Sequence, residues 1–358
     1  MPNHILALDV GTSSCHCLLA DGDGASIAAA SSPIAYHTPR GHSELAREFH
    51  PAQVLSTIED LLTQVLRKAG ASRESIDSIA ITSQRQGLVL LDSAGAELCC
   101  SPNIDLRAVF EGAAIDEQRG EQVYRTTGHT PSLILAPARL AWFEKHEPGI
   151  FQRVDAILSV AGWLMYRLTG RKVGERCIEG EAGLLNISSG ARCHRLLDSL
   201  GMPRGLLPSM PGRGAPHRSL AGPVAQEWGL KKDVEVVLAG PDTQCGLLGM
   251  GLTQPGQVGA LLGWSGAIQA LTSAPCLHPD QATWVGRYLL DDLWVAEANL
   301  GEVGSSYAWL KDLLLGAEVP ISQADVLATS APEDGSGILA YLGPGSESAF
   351  AAGLRRGG

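Results

Sequence analysis

Asp242 is the residue of this sequence best placed to do chemistry. It stands in Ala239-Gly240-Pro241-Asp242-Thr243-Gln244-Cys245-Gly246, directly after the apolar run Val234 to Leu238. A strand that stops at a Gly-Pro turn would present this carboxylate at its end, where it could accept a proton from a hydroxyl. A second glycine turn, Gly263-Trp264-Ser265-Gly266, follows a helix-like segment. Another, Gly11-Thr12-Ser13-Ser14, closes the N-terminal apolar run that carries Asp9. Glycine turns let backbone N–H groups approach a phosphate with no Cβ in the way. The hydroxyls of Thr12, Ser13 and Ser265 add donors. Two such turns could clasp a polyphosphate, and Asp9 could hold Mg²⁺ through water, because Mg²⁺ prefers oxygen ligands and keeps several waters. Asp242 would then take the proton of a hydroxyl attacking the γ-phosphate, a reaction that asks mainly for positioning and charge neutralisation.

Each signal also has a structural reading. A D-x-G-T-S turn occurs in ordinary hairpins. An aspartate after Gly-Pro fits a helix N-cap, here for a helix over Thr243 to Met250. Arg85, in Ser83-Gln84-Arg85-Gln86-Gly87, fits a surface charge; so does Arg107, which is also placed to pair with Asp105. His129 and His217 fall in loops and read as satisfied or solvated. The sequence has no G-x-x-x-x-G-K-[ST] and no G-x-S-x-G, which excludes a P-loop kinase and that hydrolase elbow.

The elements that must position these residues follow from pattern. Val10 closes a buried strand from His4, Cys15 to Ala20 returns, and Ser26 to Ala30 runs back after Asp21-Gly22-Asp23-Gly24, making an antiparallel meander. Pro51 to Lys68 is an amphipathic helix, with Val54, Leu55, Ile58, Leu61, Leu62, Val65 and Leu66 at helical spacing. Pro51 suits its first turn and Gly70 its C-terminal cap. Strands are expected at Ile76 to Thr82, Leu88 to Leu91, Val154 to Leu158 and Glu235 to Leu238, and helices at Leu135 to His146 and Val160 to Leu168. Gly201 to Pro223 reads as an irregular surface loop. Beyond it, Gln257 to Leu262 and Ala267 to Thr272 repeat the strand–turn–strand pattern of the N-terminus. A strand at Leu293 to Ala298, helices at Ser305 to Leu315 and Gln323 to Thr329, and a last strand at Gly337 to Leu342 complete the reading.

With 358 residues, 45% of them hydrophobic and 18% charged, the chain suits about two packed domains. A net charge of −11 argues against a nucleic-acid groove. No apolar run reaches the ~18 residues that span a membrane. The eight cysteines form no C-x-x-C pair and suit a reduced, cytoplasmic protein.

Taken together, Leu8-Asp9-Val10-Gly11-Thr12-Ser13-Ser14, Thr82-Ser83-Gln84-Arg85-Gln86, Asn103-Ile104-Asp105-Leu106-Arg107, Gly240-Pro241-Asp242-Thr243-Gln244 and Leu262-Gly263-Trp264-Ser265-Gly266 resemble the FGGY family of carbohydrate kinases. Gly301 to Leu310 also looks like the family's segment in that place. The match is co-linear from about Ile5 to Leu342. The resemblance implies an α/β, actin-like ATPase (ribonuclease H-like) fold, with two domains around a cleft. Residues 1–238 would be the sugar-binding and first phosphate-turn domain, and residues 239–358 part of the nucleotide domain. It implies transfer of the ATP γ-phosphate to a hydroxyl of a sugar or polyol, with ATP and Mg²⁺ as cofactors. By position, Asp242 matches the general base and Asp9 the Mg²⁺-associated aspartate. Gly11, Thr12 and Ser13 match one phosphate turn, and Gly263, Ser265 and Gly266 the other. Arg85, Gln86 and Asp105, with Asp242, fall where relatives contact the acceptor. The Ser83-Gln84-Arg85 run is closer to a glycerol-kinase-like pattern, whereas N-I-D-L-R-A looks more like the branch containing autoinducer-2 kinase.

Two departures bear on activity. Trp264 stands where the family has threonine, and an indole offers one N–H and no hydroxyl. The Gly-Gly-Gly-x-x-Ser-type segment that forms much of the adenosine pocket in the family does not occur in this sequence. The expectation is an incomplete second domain, an uncovered apolar face with a tendency to homodimerise, and weak or absent kinase activity. The alternative is a catalytically inactive sugar-binding FGGY remnant.

Overall fold

The computed structural model describes residues 4–212, 217–218, 223–263, 265–332 and 335–337. The N-terminal meander forms as the alternation requires. Strands β1 (His4–Val10), β2 (Ser14–Asp21) and β3 (Ser26–Pro33) pair antiparallel in that order. In β1, Leu6, Leu8 and Val10 are buried on one face, so Asp9 points to the other. A short ribbon, β4 (Tyr36–His37) with β5 (Glu48–Phe49), leads to α1 (Pro51–Ala69). Helix α1 starts with Pro51 in its first turn, ends at Gly70 in the left-handed region (φ 62°), and lays its seven buried apolar side chains on β2 and β3.

Strand β6 (Ile76–Ser83) then returns parallel to β1. The hairpin of β7 (Leu88–Leu91) and β8 (Glu97–Ser101) is followed by α2 (Val109–Thr127), α3 (Ala136–His146) and the single turn α4 (Pro148–Phe151). Strand β9 (Ala156–Ser159) pairs with β7, which gives a small sheet of order β8-β7-β9. Helix α5 (Val160–Thr169) packs on β6 and on the later strand 235–241. Helices α6 (Arg176–Glu181) and α7 (His194–Ser199) precede β10 (His217–Arg218), α8 (Pro223–Glu227) and β11 (Glu235–Pro241). Strand β11 pairs parallel with β6, completing a mixed six-stranded sheet, β10-β11-β6-β1-β2-β3. It runs on to Pro241, past the expected boundary at 238, so the first sheet itself carries the chain to Asp242.

After α9 (Asp242–Gly249) comes a second sheet, wholly antiparallel, of β12 (Val258–Leu262), β13 (Gly266–Thr272), β14 (Trp284–Arg287) and β15 (Trp294–Gly301), in the order β12-β13-β15-β14. Helices α10 (Val303–Leu315) and α11 (Ile321–Thr329) follow, and leave Trp309, Leu313, Leu314 and Val326 exposed. No helix of the described residues is long and apolar enough to cross a membrane.

Three sequence expectations change. Helix α2 has no counterpart in the sequence reading: Gly112 and Gly120 lower its propensity, and its buried face includes Glu111, Gly112 and Thr127, so it carries little apolar periodicity. Tertiary packing explains Gly112, since a Cβ there would lie 2.3 Å from the Leu133 Cα. The strand expected at Val154 begins at Ala156. Of the strand expected at Gly337 to Leu342, only Gly337 is described, at the end of a 3-10 turn; residues 338–342 and Trp264 lie outside the described residues.

Gly240 sits where the β11–β6 register slips, just before Asp242. Its φ is +125°, and a Cβ would lie 2.2 Å from Leu289 Cδ2. Gly240→Ala is therefore expected to lower stability by about 1–3 kcal/mol, read as a shift of the urea midpoint.

Candidate active site

Strands β1, β6 and β11 run parallel, so their C-terminal ends share one edge of the sheet, the place where open α/β sheets form a crevice. Asp9 pairs in register with Thr82, and Thr82 with Gly240. The Thr82 hydroxyl donates to the Gly240 carbonyl at 2.7 Å. This row fixes Asp9 and Asp242 near each other across the edge. Burial, then the charge of Asp242, push the Asp9 carboxyl up to about 7. Burial pushes Asp242 up to about 6, against the pull of Arg85 and of the Thr243 N–H, with Glu181 and Glu297 adding to the rise. Asp242 does not cap α9. Pro241 holds that position, and Asp242 is the first helical residue, its Oδ1 accepting from Thr243 N–H at 2.7 Å.

The first turn is braced through its carbonyls. Gly11 O accepts from Gln84 Nε2 at 3.1 Å, Thr12 O from the Tyr36 hydroxyl at 2.5 Å, and Ser13 O from Ile34 N–H at 3.0 Å. Gly11 N–H closes the turn onto Ser14 O at 3.0 Å. The Thr12 hydroxyl accepts from Asn103 Nδ2 at 2.9 Å, and Ser13 is exposed. The second turn closes in the same manner, Gly263 N–H donating to Ser265 O at 2.9 Å. Gly263 and Ser265 are exposed, whereas Gly266 is buried against Leu300 and Val303.

Beside Asp242 lies a buried polar cluster built from both sheets. Arg85 forks onto Glu297, donating from Nη1 to Oε2 at 2.5 Å and from Nη2 to Oε1 at 2.8 Å. Its Nη1 also reaches Glu181 Oε2 at 3.3 Å. Glu297 is the centre of a cross-strand row. Gln269 of β13 faces it on one side and donates to Oε2 at 2.5 Å, and Trp284 of β14 faces it on the other. The Arg85 guanidinium stacks 5.2 Å from the Trp284 ring. Glu181, at the end of α6, takes His129 Nε2 at 3.1 Å, Gln86 Nε2 at 3.4 Å and Gln244 Nε2 at 3.3 Å. Burial raises the Glu181 carboxyl, but His129 and Arg85 outweigh it and hold it at about 2. Burial works against a charged His129, yet Glu181 wins and its pKa rises.

Gln86 adopts φ 57°, uncommon for a residue with a Cβ, and its carbonyl accepts from the buried Arg139 at 2.6 Å. Asp105 is not brought to this group. It is fully buried, Oδ2 accepting from Ser101 Oγ and from Arg107 Nε at 2.7 Å, and Oδ1 from the N–H groups of Arg47 and Arg107, each at 3.2 Å. No lone pair is left over for a sugar hydroxyl. Its place is behind the site, where it holds the Asn103 loop.

Glu181, Glu297, Gln244, Gln269 and Trp284 were not identified from sequence. A signal existed for two of them: Gln269 and Glu297 sit on the buried faces of their strands, in step with Leu271 and Val295. A carboxylate on an apolar strand face needs a partner, but sequence does not show which.

The profile of the FGGY family of carbohydrate kinases, N-terminal domain, matches residues 4–249. The chain belongs to the FGGY family of carbohydrate kinases. This FGGY chain is 28% identical over 326 residues to autoinducer-2 kinase of Escherichia coli K12, which covers 89% of the chain and 61% of the relative. It thus spans less than two thirds of that relative's length. Its fold matches xylulose kinase from Lactobacillus acidophilus with a TM-score of 0.84 and 21% identity, over 99% of this chain and 71% of that one. Gluconate kinase from the same organism matches at 0.81 and 19%, over 93% and 67%. These likenesses establish the actin-like ATPase fold of FGGY sugar kinases.

An ion could be accommodated beside the first turn of this FGGY protein. Asp9 Oδ1 is buried and has no hydrogen-bond partner. Among the described residues no group of three or more His, Cys, Asp or Glu could hold a metal. A cation here would rest on one or two carboxylates with water and phosphate, which is the habit of Mg²⁺.

The raised carboxyls predict a stability effect. Both native pKa values lie above the ordinary 3.8. The native chain therefore binds more protons than the unfolded one between about pH 4 and 7, and stability falls as pH rises through that window. Asp9→Asn should raise the unfolding free energy at pH 8 by about 1–3 kcal/mol, with the gain gone by about pH 4, in urea titrations at the two pH values.

Proposed function

We propose that this chain supplies the acceptor site and the first phosphate turn of an ATP-dependent kinase acting on a hydroxyl of a sugar or polyol. The observation that carries the reading is the pair Asp9 and Asp242, brought to one edge of the sheet by strands on either side of β6, next to the Arg85 cluster. In this reading residues 1–238 hold Asp9, the first turn and Arg85, and residues 239–358 contribute Asp242 and the second turn.

Asp242 is the general base. The acceptor hydroxyl gives its proton to the carboxylate as its oxygen bonds to the γ-phosphorus, and the bond to ADP breaks. A base with a pKa near 6 is mostly ionised at neutral pH and still strong enough to take a proton. Arg85 and Gln86 line the acceptor side. The Gly11, Thr12 and Ser13 turn faces one end of the polyphosphate and the Gly263, Ser265 and Gly266 turn the other. The Gly11 and Gly263 N–H groups close the turns, and the exposed Ser13 and Ser265 supply hydroxyl donors. Asp9 would hold Mg²⁺, which when bound neutralises charge on the phosphates. The eight cysteines form no disulfide, which supports a reducing, cytoplasmic setting.

Asp242→Asn should lower the rate of sugar-dependent ADP release by about 10²–10⁴-fold with unchanged circular dichroism. In the parent chain kcat/KM should rise with pH through about 6. A flat profile, or full turnover in the Asn variant, would remove Asp242 from the role.

A further inference from the structure

The Glu297 row carries more than the role just given to Arg85. Gln244 and Gln269 are buried, at 0% and 1% exposure. Each presents its amide to a carboxylate, Gln244 to Glu181 and Gln269 to Glu297. An ionised carboxylate only accepts, so the end facing it must be the NH₂. Chemistry therefore fixes both amides, and leaves both Oε1 atoms buried without a hydrogen-bond partner. A buried acceptor without a donor is unfavourable. Two in one cluster, beside a candidate base, describe a place for a ligand that brings O–H groups.

The charges limit which ligand that is. Asp242, Glu181 and Glu297 put three carboxylates around the Arg85 guanidinium and the His129 ring. Both Nη atoms of Arg85 are engaged by Glu297, and His129 Nε2 by Glu181. Neither Arg85 nor His129 is left to receive a carboxylate on the ligand, and the surplus of carboxylates repels one.

We propose that Gln269 and Glu297, together with Gln244, select an uncharged polyhydroxy acceptor and turn away its carboxylate-bearing counterpart. This deepens the kinase reading and rests on its placement of the acceptor beside Arg85. Gln269 and Glu297 come from the second sheet, so specificity is set only when that sheet is docked on the first. The second sheet is held in place at the C-terminal end of α2, where Val285 N–H donates to Gly128 O at 2.8 Å and the Tyr124 hydroxyl to Thr283 O at 2.7 Å.

The test uses pairs that share a carbon skeleton: xylitol with xylonate, glucitol with gluconate, and glycerol with glycerate. Binding to the full chain is measured by calorimetry at pH 7.5, and ADP release is followed separately. The expected result is binding of at least one neutral member, about 100-fold tighter than its acid. In Glu297→Gln, which removes the charge and frees Arg85, that preference should narrow about tenfold. Gln269→Leu keeps the volume and should weaken the neutral ligand about tenfold. General loss of structure would weaken both members of a pair alike, so the ratio isolates the role. Equal or tighter binding of the acids, an unchanged ratio in Glu297→Gln, or no binding of any neutral member would overturn the proposal. Selective neutral binding without ADP release would sink the kinase reading and leave this one standing. Turnover of the acids would do the reverse.

Discussion

Two carboxylates held close together at the edge of a sheet are the constraint on which this structure depends. Asp9 and Asp242 repel each other and are partly withdrawn from water, and both are pushed well above their ordinary range. No folding advantage follows from that. The arrangement persists because the parallel pairing of β1, β6 and β11 fixes where the two chain segments end, and the buried faces of those strands fix their register. The Thr82 bond to Gly240 and the kink at Gly240 then set the final direction of Asp242. The cost is met by the core beneath, in which Leu6, Leu8, Ile79, Ile81 and Val236 are buried.

The Arg85 cluster answers a related problem by different means. A buried ion pair is weak evidence for stability, since desolvation offsets much of the attraction. Its value lies in geometry. The guanidinium fork fits only one placement of Glu297, and Glu297 is fixed by its row with Gln269 and Trp284. One side chain from the turn that follows β6 is thereby tied to one strand of the second sheet. Arg139 performs a similar service from behind, holding the Gln86 carbonyl while the backbone adopts its left-handed turn.

Much of the frame was legible beforehand, for physical reasons. The meander, α1 and the two strand–turn–strand units have clear periodicity and strong turn residues. Asp9 and Asp242 were legible because each lone carboxylate follows an apolar run and stands next to glycine. Helix α2 was not, because Gly112 is explained by contact with Leu133 and not by any local preference. Asp105 and Arg107 are neighbours in sequence, and their pairing was expected. That the pair lies behind the site follows only from the Arg47 and Ser101 contacts.

The sequence by itself determined the family, the strands that carry the two aspartates, and the two glycine turns. Local pattern suffices for these, because strand period and glycine conformation act over a few residues. Only the tertiary structure decided what surrounds Asp242. Arg85, His129, Glu181, Gln269 and Glu297 come from distant segments, and a buried charge is specified by whatever partner the fold brings to it. Sequence can announce that Glu297 must be paired; the docking of the second sheet on the first makes that partner Arg85.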